Sequence, residues 1–97
     1  MNNMKKRLDF TKFPLPDVEG NFTECDLSKE IANIVFRGTM DVQAAELSMR
    51  IVRERNLCLT DEEIGLLRDE LGKPENMVLA SVKIGFERLQ KNGETVE

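Results

Sequence analysis

Leu57-Cys58-Leu59-Thr60-Asp61-Glu62-Glu63-Ile64 is the most legible stretch of this 97-residue chain. Thr60 followed three residues later by Glu63 is a capping box. The hydroxyl accepts the Glu63 amide while the Glu63 carboxylate reaches back to the Thr60 amide. Leu59 and Ile64, on either side, have the spacing of a hydrophobic staple, which fixes the angle at which the chain enters a helix. The pattern predicts a helix over Asp61–Leu71 that buries Ile64, Leu67 and Leu71 and stops at Gly72. Before it, Leu57-Cys58-Leu59 reads as a short extended piece able to pair with other strands.

Downstream, Pro74 suits the first turn of a fourth helix. Its expected inner face is Val78, Val82, Gly85, Phe86 and Leu89, and Asn92-Gly93 closes it, with residues 93–97 as a frayed tail. Upstream, Thr39 is a cap candidate for a second helix with Asp41 in its first turn. That helix carries a stripe of Ala44, Ala45, Leu47, Ser48, Ile51 and Val52. Before it, Asp26 or Ser28 caps a first helix patterned by Leu27, Ile31, Ile34 and Val35 and ended by Gly38. Near the start, Leu8 and Phe10 alternate with polar residues as a strand does. Pro14 and Pro16 argue against regular pairing, Asp17–Asn21 has turn chemistry, and Phe22–Cys25 reads as a second strand. Phe10, Phe13 and Phe22 would dock this hairpin, and residues 1–7 read as a flexible basic leader. The expected fold class is therefore α+β, mostly α: an N-terminal β-hairpin packed on a small four-helix domain, with residues 1–97 forming a single domain.

Composition removes much chemistry. The chain has no histidine, tryptophan or tyrosine. Ser-His, Cys-His and histidine-bearing metal sites are thereby excluded. The remaining groups fall into no catalytic spacing, so neither an enzyme, a cofactor nor a small-molecule substrate is expected. Asp61, Glu62 and Glu63 suit the positive end of a capped helix. Asp69, Glu70 and Glu75 flank a turn, read as solvated, and lack the alternating ligands of a calcium loop. Cys25 and Cys58 lie in different elements with no CxxC spacing and read as small buried hydrophobes, with a disulfide or redox role as the alternative. Gly85 inside a helix suggests a close helix contact or a self-association surface. No apolar run is long enough to span a membrane, and the start has no signal-peptide core, so a cytoplasmic site is expected.

A net charge of −4 disfavours nonspecific attraction to nucleic acid or anionic lipid. Lys5, Lys6, Arg7 and Lys12 are the only basic concentration and are candidate phosphate contacts, which makes a small nucleic-acid-binding regulator the alternative function. A helix-turn-helix over Glu62–Leu89 would need polar side chains at the start of its second helix. Met77, Val78, Leu79, Ala80 and Val82 stand there instead and read as core, while Asp61–Glu75 carries six acids against two bases. Met40, Val42 and Met49 fall outside the main stripe of the second helix and form a candidate partner surface. The leading expectation is a non-enzymatic protein that self-associates or binds a protein partner.

The sequence also resembles small uncharacterised proteins of prophages and integrated mobile elements of gut bacteria. The likeness lies in the basic start, Asp9-Phe10, the Asp17…Gly20 turn, Asp26-Leu27-Ser28-Lys29-Glu30-Ile31-Ala32-Asn33, the Thr39-x-Asp41 helix start and Leu59–Glu63. It covers most of the chain as a pattern of caps and stripes and carries over no site. It implies a small accessory protein of a phage or mobile element.

Overall fold

The structure, a computed structural model, describes residues 4–96. In chain order these form β1 (Lys5–Asp9), a 3-10 turn (Phe10–Lys12), β2 (Phe13–Pro16), β3 (Phe22–Cys25), α1 (Ser28–Gly38) and α2 (Val42–Glu54). There follow β4 (Asn56–Thr60), α3 (Asp61–Gly72), a second 3-10 turn (Pro74–Asn76), α4 (Ala80–Asn92) and β5 (Glu94–Val96). Over the described residues the fold is mixed α/β, 59% helical, with four helices and two small sheets.

The segment expected to be a loose leader is structured from Lys5 onward, and residues 1–3 lie outside the described ones. β1 is the central strand of a three-stranded antiparallel sheet ordered β4-β1-β5. Lys6 pairs across from Leu59 and Leu8 from Leu57, so these four side chains share the inward face. Lys5, Arg7 and Asp9 take the opposite face, with Thr60, Cys58 and Asn56 across from them. The charged residues hide the alternation because Lys6 occupies an inward position. Its ammonium donates to the Gln90 carbonyl at 3.1 Å, in the last turn of α4 where the helix dipole favours a cation. The expected frayed tail is likewise corrected: Glu94–Val96 pair with Lys5–Arg7, while residue 97 lies outside the described ones. Gly93 admits this close return, since a Cβ there would stand 3.0 Å from the Arg7 carbonyl and from the Leu8 side chain.

The N-terminal hairpin keeps its expected second strand, Phe22–Cys25, but its first strand is Phe13–Pro16 and not the expected segment around Leu8 and Phe10. β2 pairs with β3 in the register Phe13↔Cys25 to Pro16↔Phe22, so the two prolines lie inside a strand. The Asp17 amide donates to the Asn21 carbonyl at 2.8 Å. The ladder therefore falls on residues 13, 15 and 17, and Pro14 and Pro16 occupy the alternate positions where no donor is required. The turn behaves as its residues suggest. The Asp17 carboxylate accepts from the amides of Glu19 and Asn21 at 2.9 and 3.0 Å, and Gly20 takes φ +90°.

The helix starts follow local chemistry. Thr60 Oγ1 accepts the Glu63 amide at 3.1 Å and Glu63 Oε1 accepts the Thr60 amide at 2.9 Å, completing the capping box. Leu59 and Ile64 are both buried in the core. The cap of α2 is Asp41, which accepts the Gln43 amide at 2.8 Å. Thr39 stands two residues earlier and accepts the Asp41 amide instead. The fourth helix starts later than Pro74 suggests. Pro74–Asn76 make a single 3-10 turn, Met77 adopts a left-handed φ of 53°, and α4 begins at Ala80. Asn76 Nδ2 donates to the Glu70 carbonyl at 2.6 Å, tying this turn back to α3 instead of releasing it into a new helix.

One apolar cluster holds the elements together, including Leu8, Phe10, Phe13, Val35, Ile51 and Phe86. Phe10 joins three segments: its amide donates to the Arg55 carbonyl at 2.8 Å and its carbonyl accepts the Leu27 amide at 3.0 Å. Gly85 is buried, and a Cβ there would meet the Pro14 carbonyl and the Phe13 ring. Its close contact is thus with strand β2 and not with another helix. Phe22 remains partly exposed beneath the Arg88 guanidinium, 4.7 Å from the ring centre.

Candidate functional site

α2 buries Ala44, Leu47, Ser48 and Ile51. At 100° per residue the line opposite that face is Val42, Glu46, Met49 and Arg53. Beside this line, α1 and α2 form a groove of about 320 Å³ lined by Ala32, Asn33, Phe36, Ser48, Met49 and Val52. Phe36, Met49 and Val52 are 51%, 49% and 38% exposed. The Ser48 hydroxyl is already spent within the helix, donating to the Ala45 carbonyl at 2.6 Å. The groove therefore presents apolar carbon and sulfur with little polar demand of its own, apart from Asn33 at its margin.

Of the expected partner surface, Met49 lines this groove. Val42 lies two turns earlier on the same line of α2, and Met40 is exposed in the connector before it. Phe36 and Val52 complete the surface. Val52 reads in sequence as part of the core stripe, but it sits at the stripe's edge. Phe36 follows Val35 directly and is turned about 100° away from it, a signal present in the helical wheel.

The basic residues do not gather into one patch. Lys6 is engaged with α4. Arg7 and Lys12 line a small cavity of about 170 Å³, but Asp9 and Glu24 line it too. Lys5 shares the outward face of β1 with Arg7 and Asp9.

The acidic groups act structurally. Glu63 uses one oxygen in the capping box and the other to receive Arg50 at 3.0 Å, joining α2 to α3. Glu70, expected to be solvated, is buried. Its Oε2 accepts the Thr39 hydroxyl at 2.9 Å and Lys73 Nζ at 2.8 Å, while Oε1 is buried with no hydrogen-bond partner among the described residues. The hydrogen bond to Glu70 raises the Lys73 pKa above its ordinary 10.5. This cluster clasps the α1–α2 connector to the end of α3.

Cys25 and Cys58 are free and half-buried, not core residues. Cys25 Sγ lies 3.7 Å from the Phe13 carbonyl, and Cys58 lies across from Arg7 on the outward face of the sheet. Among the described residues, no group of three or more cysteines, aspartates or glutamates is placed to hold a metal ion. Among the same residues, no helix is long and apolar enough to cross a membrane.

The expectation that Met77–Val82 face the core needs correction. Met77 and Leu79 are 85% and 70% exposed and Ala80 is exposed, while Val78 and Val82 are partly buried against the core. The left-handed turn at Met77 delays α4 and swings these residues outward. What they expose is apolar, which is poor material for reading base edges.

The chain matches no family model, no curated protein and no solved structure.

Proposed function

We propose that this protein is a non-enzymatic interaction module that docks through the α1–α2 groove, in the setting of a cytoplasmic accessory protein of a phage or mobile element. The observation that carries this reading is the grouping of Phe36, Met49 and Val52, half-exposed, around one apolar groove. Aromatic and methionine side chains are enriched at protein interfaces, and a clustered apolar patch marks a contact site more strongly than scattered apolar residues do. Phosphate binding is the weaker reading, because Asp9 and Glu24 share the cavity that holds Arg7 and Lys12 and offset their charge.

The test pairs the native chain with Met49→Glu as baits in an extract of a host carrying such an element, alongside measurement of self-association. Binding to itself or to a host protein that Met49→Glu abolishes is the expected result. Binding that the substitution leaves intact, or no binding of either kind, overturns the reading. Gene neighbourhood tests the biological setting: flanking terminase, portal or tail genes support it, and an isolated metabolic operon contradicts it.

A further inference from the structure

We propose that the occupant of the α1–α2 groove is a second copy of this chain, docked about a two-fold axis beside Met49 with the two α2 helices antiparallel. The proposal rests on the reading of the groove as a docking face, and charge selects the occupant. Along the outward line of α2, Glu46 lies one turn before Met49 and Arg53 one turn after it. A two-fold rotation at Met49 reverses the helix, so Glu46 of each copy comes to lie beside Arg53 of the other. The surface is complementary to itself, as an isologous interface must be. A parallel pairing would instead set Glu46 against Glu46 and Arg53 against Arg53.

Both charges are free to serve in this way. Glu46 is exposed and forms no ion pair among the described residues. Among the described residues, the one ion pair of Arg53 is a 3.7 Å contact with its neighbour Glu54, both well exposed to water. Phe36 and Val52 of each copy flank the two Met49 side chains, and a methionine thioether adapts to an irregular apolar seam. The two-fold thus places the apolar centre under Met49 and the charges at its rim, the usual anatomy of a specific interface.

Sedimentation equilibrium on the full chain tests this. The native protein is expected to populate a dimer of twice 11.1 kDa. Met49→Glu buries two like charges at the axis and should raise the dissociation constant by roughly a hundredfold. Glu46→Arg or Arg53→Glu alone sets like charges together at both rims and should raise it roughly tenfold. The double variant Glu46→Arg/Arg53→Glu restores opposite charges and should recover most of the native affinity. All these residues are at least half-exposed or at the surface, and an unchanged melting temperature of the dilute variants checks that they fold. A native chain that stays monomeric, a dimer indifferent to Met49→Glu, or a double variant as weak as either single overturns the proposal. If the native chain is monomeric but captures a host protein that Met49→Glu releases, the second copy is the wrong occupant and the docking face stands. If Met49→Glu changes neither, both fail.

Discussion

Thr60 and Glu63 together set the entry to α3, and their exchange of hydrogen bonds sits within four residues of sequence. Thr60→Ala removes the side-chain acceptor and should cost about 1 kcal/mol, a fall in melting temperature of roughly 4–8 °C for a domain of this size. Glu63→Ala should cost more, because the same carboxylate also holds Arg50 from α2. Thermal melts of the two variants check both the values and their order. At Gly85, a methyl group would gain about 1 kcal/mol of helix propensity. It would also press on the Pro14 carbonyl and on the buried Phe13 ring, 2.5 Å from its Cε1. Overpacking of this kind costs about 1–3 kcal/mol, and β2 backbone cannot yield as a flexible side chain would. Gly85→Ala is therefore expected to lower the melting temperature, and a rise would show that β2 does not lie against α4 at this point. The legible residues are those whose partners are near in sequence: Thr60, Asp17 and Gly20. Glu70 was not legible, because the hydroxyl that engages it belongs to Thr39, far away along the chain. The helical wheel sets Glu70 about 60° from Leu67 and Asp69 on the far side of α3, but it does not show which distant partner holds the Glu70 carboxylate.

Among the elements, the helices are readable because each carries an apolar face at helical spacing. Asp41 and Thr60 also mark the starts of α2 and α3, whereas α4, with Leu79 at its cap position and no capping side chain, starts where no local signal points. Asp26 gives the entrance of α1 a measurable pH signature. Its carboxylate accepts from the hydroxyl and the amide of Ser28 at 2.7 and 3.0 Å, and these bonds hold its pKa below the ordinary 3.8. A carboxyl depressed in the folded state adds stability that is present above pH 3.8 and lost as pH falls through the lower folded value. The native chain should thus be more stable than Asp26→Asn at neutral pH, with the gap closing as pH falls below 3.8. A gap that persists unchanged into strong acid would contradict the assignment. Lys73 has the opposite sign: its raised pKa adds stability below pH 10.5 that fades as pH rises through the folded value. The strands were harder to read. β1 contains three consecutive cations and one inward leucine, and β5 is three residues long, so neither carries enough apolar alternation to stand out. Long-range pairing defines them, and that pairing is absent from any local window. β2 was concealed for another reason, since its two prolines are tolerated only because both fall at positions that owe the partner no donor.

At the scale of the whole molecule, the proposed dimer covers the α1–α2 face with a second copy of the chain. Met49 and Val42 could be singled out from sequence because they fall off the inner stripe of α2. Phe36 could not be joined to them until α1 and α2 were laid side by side, which is a tertiary fact. The five methionines give a direct view of this proposed dimer. Met49 lies in the groove, whereas Met77 is exposed in the turn before α4, outside the proposed interface. With methionine methyl groups labelled for NMR, the full chain is diluted stepwise and each resonance is followed. The Met49 methyl signal is expected to move with concentration while that of Met77 holds still. A Met49 signal that stays fixed across the dilution series, or a Met77 signal that moves in its place, would contradict the account.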